Sequence, residues 1–157
     1  MKLPLFQRDT VSSDKKLHYG NVLISEQQLK SVIVKPTRIC TSNCGFCKYS
    51  RDRFDRSNSE RVLSFDEWKL VLADLNKLGL KKFTISGGEP TLYPHLVDLV
   101  KEGKKYGWFV GMNTNGTLMT EKLAKELIDA GLDKVTVSLH GAKEEDHNEI
   151  KRSGIAY

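Results

Sequence analysis

Cys40-Thr-Ser-Asn-Cys44-Gly-Phe-Cys47 holds all three cysteines of the chain within eight residues. Thiolates packed this closely are ligands for soft metals and iron–sulfur clusters. A [4Fe-4S] cube has four irons, and four protein thiolates saturate it. Three cysteines therefore leave one iron open to a small molecule. A zinc site of three Cys and one His is the rival reading, because structural zinc closes four ligands around the ion. His18 and His95, the histidines nearest in sequence, do not supply a local zinc spacing. Three inert, buried thiols are the third reading, and the loop alone leaves all three open.

Composition narrows the setting. The 157 residues suit one domain, and 39% hydrophobic with 29% charged residues is ordinary for a soluble chain with a real core. The net charge of +5 is spread along the chain. It reads as a solvated surface rather than a nucleic-acid face. No apolar run reaches membrane length. The start, Met1 to Asp9, lacks the apolar core of a secretory signal. An odd number of cysteines in one loop does not make a disulfide framework, so a reducing cytoplasm is expected.

The elements that must position the cysteine loop follow from periodicity. Residues 1–30 read as an N-terminal extension, with a short hairpin over Leu17–Ile24 turning at Gly20-Asn21. Ser31–Ile39 is β-branched and predicts the first core strand, with Pro36 marking an edge or bulge. A polar segment follows the cysteine loop, in which Arg51, Arg53 and Arg56 either face an anionic substrate or are simply solvated. Ser64-Phe-Asp-Glu67 is a capping box that opens a helix with Phe65, Trp68, Val71, Leu72, Leu75 and Leu78 on its apolar side, ended by Gly79.

Lys82–Ser86 predicts a second strand, followed by Gly87-Gly88-Glu89-Pro90. Pro94 opens a helix to Tyr106, with Leu96, Val97, Val100 and Tyr106 inward. Trp108–Met112 predicts a third strand, ending in a turn at Asn113-Thr-Asn115-Gly116. Thr120 caps a helix carrying Leu123, Leu127 and Ile128. Lys134–Leu139 predicts a fourth strand before His140-Gly141, and a polar tail opens a further helix. Period-two alternation sends Thr136, Ser138 and His140 to one face of that strand. Val135, Val137 and Leu139 then pack under helices on the other.

Strand, loop and helix in repetition predict an α/β fold with parallel strands. The carboxyl ends of such strands share one face, and active sites form there. The four distinctive loops should converge.

With these residues in view, the chain from about Ser31 onward resembles the radical S-adenosylmethionine (radical SAM) superfamily. The likeness rests on the C-x3-C-x2-C loop, Gly87-Gly88-Glu89-Pro90, the Thr-Asn-Gly turn at Asn115 and Ser138-Leu-His140-Gly. It implies a partial parallel (β/α) barrel, an incomplete TIM-like barrel with about four of six βα units. It implies Cys40, Cys44 and Cys47 as ligands of a [4Fe-4S] cluster. It further implies Gly87, Gly88 and Glu89 around the amino group of S-adenosylmethionine, two glycines admitting the ligand and a carboxylate balancing an ammonium. Ser138 corresponds to a contact with the carboxylate or ribose, and Phe46 to the aromatic residue whose backbone approaches the adenine, or which simply packs over the cluster. Asn113 and Asn115 correspond to the turn. His140 stands where many relatives carry Asp, between a substrate contact and a loop-ordering role.

The activity so implied is reductive cleavage of S-adenosylmethionine to a 5′-deoxyadenosyl radical that abstracts hydrogen from a substrate. No side chain need act as a conventional acid or base. The implied partners are a reductant such as a flavodoxin or ferredoxin and an unknown substrate. The motifs look most like the branch of peptide maturases and the molybdenum-cofactor cyclase, so a peptide or a cofactor precursor is the expected substrate class. Four strands rather than six imply one of three states: part of a longer protein, a half-domain completed by a second chain, or an inactive remnant. A non-catalytic zinc- or cluster-binding structural or sensor module is the alternative of a different class.

Overall fold

The computed structural model describes residues 17–19, 22–24, 29–47 and 62–151. β1 (Leu17–Tyr19) and β2 (Val22–Ile24) pair antiparallel, as expected of the hairpin. The Gly20-Asn21 turn and Arg51, Arg53 and Arg56 lie outside the described residues.

The main sheet is parallel, in the order β3 (Ser31–Val34), β4 (Lys82–Ile85), β5 (Phe109–Thr114) and β6 (Lys134–Val137). Consecutive strands are neighbours throughout. Helices α1 (Phe65–Lys77), α2 (Leu96–Lys105) and α3 (Glu121–Asp129) connect them. The capping box of α1 is complete: Ser64 N–H donates to the Glu67 carboxylate at 2.9 Å, and Glu67 N–H donates to Ser64 Oγ at 3.3 Å. Such a cap stabilises a helix by about 0.5–2 kcal/mol.

The core lies on one side of the sheet. Val34, Phe83, Ile85, Val110 and Met112 alternate onto this face and meet Trp68 and Leu72 of α1, Leu96, Leu99 and Val100 of α2, and Leu127 of α3. The opposite face carries Thr84, Phe109, Gly111, Asn113 and Thr136 around a shallow concavity.

Several elements depart from expectation. The first strand stops at Val34 rather than Ile39. Beyond it, Pro36 and Thr37 are buried and the carbonyls of Thr37 and Ile39 turn to the following loop. The second strand ends at Ile85, and Pro90–Leu92 forms an extra 3-10 turn. Helix α2 is capped at His95, not Pro94. Strand β5 runs on through Asn113 and Thr114, so Asn113 belongs to the sheet and not to the turn. Leu78 and Ile128, expected inside, are exposed.

The largest correction concerns β6. Val135, Val137 and Leu139, expected to pack under helices, are 44%, 57% and 60% exposed. Strand β6 is the sheet's edge, and α4 (Glu144–Lys151), which follows it, crosses to the cysteine loop instead of packing on the sheet. Period-two alternation names the face a side chain occupies but not whether another element covers it.

Two features lock the strand ends. At the base of β5, Asp133 accepts from Val110 N–H at 2.7 Å and from the Lys104 ammonium at 2.7 Å. Partial burial pushes the Asp133 carboxyl up. The Lys104 hydrogen bond, the Val110 N–H and the Lys104 charge outweigh it and hold the group below its ordinary value. At the opposite end, Gly88 N–H donates to Thr37 C=O at 2.9 Å and Glu89 N–H to Ile39 C=O at 2.7 Å. This latch needs glycine. A Cβ on Gly88 would lie 2.2 Å from Ile39 O, and one on Gly87 (φ +124°) would lie 2.5 Å from Thr37 O. Both obstacles are backbone, which cannot swing aside.

Two measurements check these locks. Asp133→Ala leaves the buried Val110 N–H without its acceptor and should cost about 1–3 kcal/mol in urea unfolding at neutral pH. Because the folded-state value is depressed, Asp133 stabilises fully above the unfolded value of about 3.9. That stabilisation is lost as pH falls through the folded value. The gap between wild type and variant should therefore close in acid; a constant gap contradicts the assignment. Gly88→Ala should cost about 1–3 kcal/mol through overpacking, and the amides of residues 88 and 89 should exchange faster with solvent. Unchanged exchange at those two amides would mean that the latch is absent.

Candidate functional site

All four loops at the carboxyl ends of β3 to β6 meet. The cysteine loop sits on the glycine turn through the backbone latch. Asn115 at the end of β5 donates from Nδ2 to Thr41 Oγ1 at 2.9 Å and Ser42 Oγ at 3.2 Å, and stands 3.7 Å from Cys40 Sγ. Thr41 and Thr117 hydroxyls pair at 2.9 Å. Beyond β6, the His140 ring stands edge-on to Phe46 with centroids 5.1 Å apart. Helix α4 closes the ring of contacts, since Asn43 N–H donates to Lys151 C=O and Lys151 Nζ donates to Asn115 C=O, both at 3.0 Å.

The three cysteines are half-buried thiols outside any disulfide. Ser42 N–H donates to Cys40 Sγ at 3.4 Å, and Cys47 N–H to Cys44 C=O at 3.0 Å. The Cys44 thiol is pushed up by burial first, then by the charges of Cys40 and Cys47. The Lys151 ammonium and a backbone hydrogen bond oppose this only in part. The charges of Cys40 and Cys47 thus oppose ionisation of Cys44, and a cationic centre bound among the three sulfurs removes that repulsion. The donor set therefore fits an iron–sulfur cluster. A zinc ion needs its ligands around one tetrahedron. His95 belongs elsewhere: it stacks on Phe65 and faces Asp98 at 3.4 Å.

Gly87 and Gly88 lie under the backbone of residues 37–39. Their lack of side chains admits this close approach of backbone. Glu89 is fully buried. Its carboxylate accepts from Thr91 N–H at 3.1 Å, Thr91 Oγ1 at 2.8 Å, Thr114 Oγ1 at 2.6 Å and Asn115 N–H at 2.8 Å. Both oxygens thus accept from protein donors. Phe46 is 62% exposed at the rim, free to present a face to a planar group. Ser138 is half-buried, held by its N–H to Thr114 C=O at 2.9 Å.

Sequence reading missed Thr114, His147 and Lys151. Thr114 was read as a turn residue, yet it is buried and bonds Glu89. His147 and Lys151 stand four apart on α4 and are 7% and 2% exposed. That spacing, which puts both on one helix face, is the only signal a charged segment without an apolar stripe offers. His147 Nδ1 accepts from His140 N–H at 3.3 Å. Burial, then the Lys151 and His140 charges, lower the His147 pKa and favour the neutral ring that this bond requires.

Comparison with known proteins agrees with this geometry. The pattern of the Radical SAM superfamily matches residues 34–156. The chain is 38% identical over 114 residues to a PqqA peptide cyclase of Bradyrhizobium diazoefficiens, covering 73% of this chain and 29% of that protein. It is 38% identical over 114 residues to a probable GTP 3',8-cyclase of Thermococcus kodakarensis, covering 73% and 36%. The chain thus spans about a third of the length of these relatives. Among solved structures, Streptococcus suis SuiB bound to S-adenosylmethionine superposes with a TM-score of 0.67 at 20% identity, over 78% of this chain and 28% of that one. BtrN in complex with AdoMet and 2-DOIA gives 0.59 at 26% identity, over 74% and 48%. SuiB at this identity speaks for the fold alone, a partial TIM-like barrel. The sequence matches go further: this chain belongs to the radical SAM superfamily, enzymes that use a [4Fe-4S] cluster and S-adenosylmethionine.

Proposed function

We propose that residues 31–157 are the amino-terminal part of a radical SAM catalytic core, with residues 1–30 as an extension. In this reading Cys40, Cys44 and Cys47 hold a [4Fe-4S] cluster by three irons. The observation that carries it is the latch of the cysteine loop onto the glycine turn, Glu89 N–H to Ile39 C=O at 2.7 Å. It joins the thiolate loop to the turn expected beside S-adenosylmethionine.

When bound, the cluster supplies one electron that cleaves the sulfonium to a 5′-deoxyadenosyl radical. The chain's own residues do the positioning. Gly87 and Gly88 keep the turn low beneath the cysteine loop. Glu89 holds the turn's shape from inside, and Gly87, Gly88 and Glu89 together are assigned to the amino group of S-adenosylmethionine. The backbone at Phe46 is assigned to the adenine, with the Phe46 ring set against His140. Ser138 lies toward the carboxylate or ribose, and Asn115 braces the loop. Cys40, Cys44 and Cys47 would hold the cluster from half-buried positions, and its chemistry would call for exclusion of water and oxygen from the radical.

The substrate class we favour is a peptide or a cofactor precursor, in keeping with relatives named as a peptide cyclase and a GTP cyclase. Radical SAM enzymes take electrons from a reductant, and a flavodoxin or ferredoxin in the cytoplasm fits a chain with no membrane-length apolar helix among its described residues. The length of the relatives supports completion of the barrel by further sequence or a second chain.

The test is anaerobic reconstitution of the chain with iron and sulfide, then reduction in the presence of S-adenosylmethionine. 5′-Deoxyadenosine and methionine should form in equal amounts, and Cys44→Ala should reduce the product at least about a hundredfold, as loss of an essential group does. Stoichiometric zinc with no cluster uptake in protein purified without oxygen would refute the reading.

A further inference from the structure

Asn115 is held at every backbone and side-chain polar atom. Its N–H donates to Glu89 Oε2 at 2.8 Å. Its C=O accepts from Lys151 Nζ at 3.0 Å. Its Oδ1 accepts from Thr117 N–H at 2.9 Å and Thr117 Oγ1 at 2.7 Å. The Thr117 backbone N–H can only donate, so it assigns Oδ1 to that side and turns the amide nitrogen toward the cysteine loop. There Nδ2 has two protons for three acceptors: Thr41 Oγ1, Ser42 Oγ and, at 3.7 Å, Cys40 Sγ.

We infer that Asn115 is a positioning residue that tunes the reduction potential of the cluster through an N–H···S bond to Cys40. The inference rests on the reading of the three cysteines as cluster ligands. Hydrogen bonds to ligand sulfur are among the factors that set cluster potentials. One-electron reduction adds negative charge that spreads onto the thiolates. A donor aimed at Cys40 stabilises the reduced cluster more than the oxidised one and raises the potential. No bond is made or broken; the electron comes from a low-potential donor such as titanium(III) citrate. The placement of the donor depends on Glu89, which fixes the Asn115 backbone, and on Lys151, whose buried ammonium caps its carbonyl. Two sequence-distant residues, Glu89 and Lys151, therefore converge on the orientation of one amide.

The test is an EPR-monitored redox titration of the reconstituted chain and two variants. Asn115→Asp keeps an oxygen for the Thr117 donors and replaces the amide nitrogen with an acceptor. Asn115→Ser keeps a short acceptor for the turn, adds no charge and cannot reach Cys40. Both should hold wild-type iron and sulfide per chain. At the wild-type midpoint, the ratio of reduced to oxidised cluster should fall about tenfold or more in the aspartate variant, a shift of about 59 mV for one electron. It should fall in the same direction by a smaller factor in the serine variant. A wild-type potential in the serine variant, whatever the aspartate does, overturns the inference and leaves the cluster assignment standing. A wild-type chain that takes up no cluster overturns both.

Discussion

The site depends on the burial of one carboxylate. Glu89 has no exposed surface, and a carboxylate withdrawn from water must have its acceptors met within the protein. Its donors come from Thr91 in its own turn and from Thr114 and Asn115 at the end of the neighbouring strand. Its own N–H reaches across to Ile39 just before the cysteines. One residue thus joins three loops that come from three different strands. Each of those loops is short of regular structure, and without a shared partner nothing in its local sequence would hold it in register with the others.

The rest of the fold supplies the platform. Four parallel strands in sequential order place their carboxyl ends in one row. Three helices cover one face with a close-packed core in which Phe83, Ile85, Leu99, Val100 and Val110 are wholly buried. The other face and the edge at β6 are less covered, and α4 leaves the sheet to brace the cysteine loop from above through Lys151. The architecture is therefore rigid beneath the site and open beside it. A site that must admit a cofactor and a substrate from one side while holding thiolates steady needs that division.

Much of this was legible in the residues. The capping box and the helix stop at Gly79 follow from neighbours in sequence, and the parallel strands with their converging loops follow from the repeated strand–loop–helix pattern. The direction of Glu89 was not. A Gly-Gly-Glu turn looks the same whether its carboxylate points outward or into Thr114 and Asn115, which lie 25 and 26 residues away. The length of β3 failed for a related reason: Thr37 to Ile39 are strand-like in composition, but their carbonyls find better partners in the glycine turn. Val135 and Val137 were assigned the correct side of the strand, while their cover depended on where α4 goes. Lys151 was invisible because a lysine in a charged helix is ordinarily solvated.

The account stands on a cluster gripped at three corners with its fourth iron presented to a ligand. A Mössbauer spectrum of the chain, reconstituted with isotopically enriched iron and recorded with and without S-adenosylmethionine, tests this most directly. The account predicts a four-iron cluster in which the cofactor perturbs the signal of a single iron. Four irons that ignore the cofactor, or iron that never assembles beyond isolated ions, would contradict it.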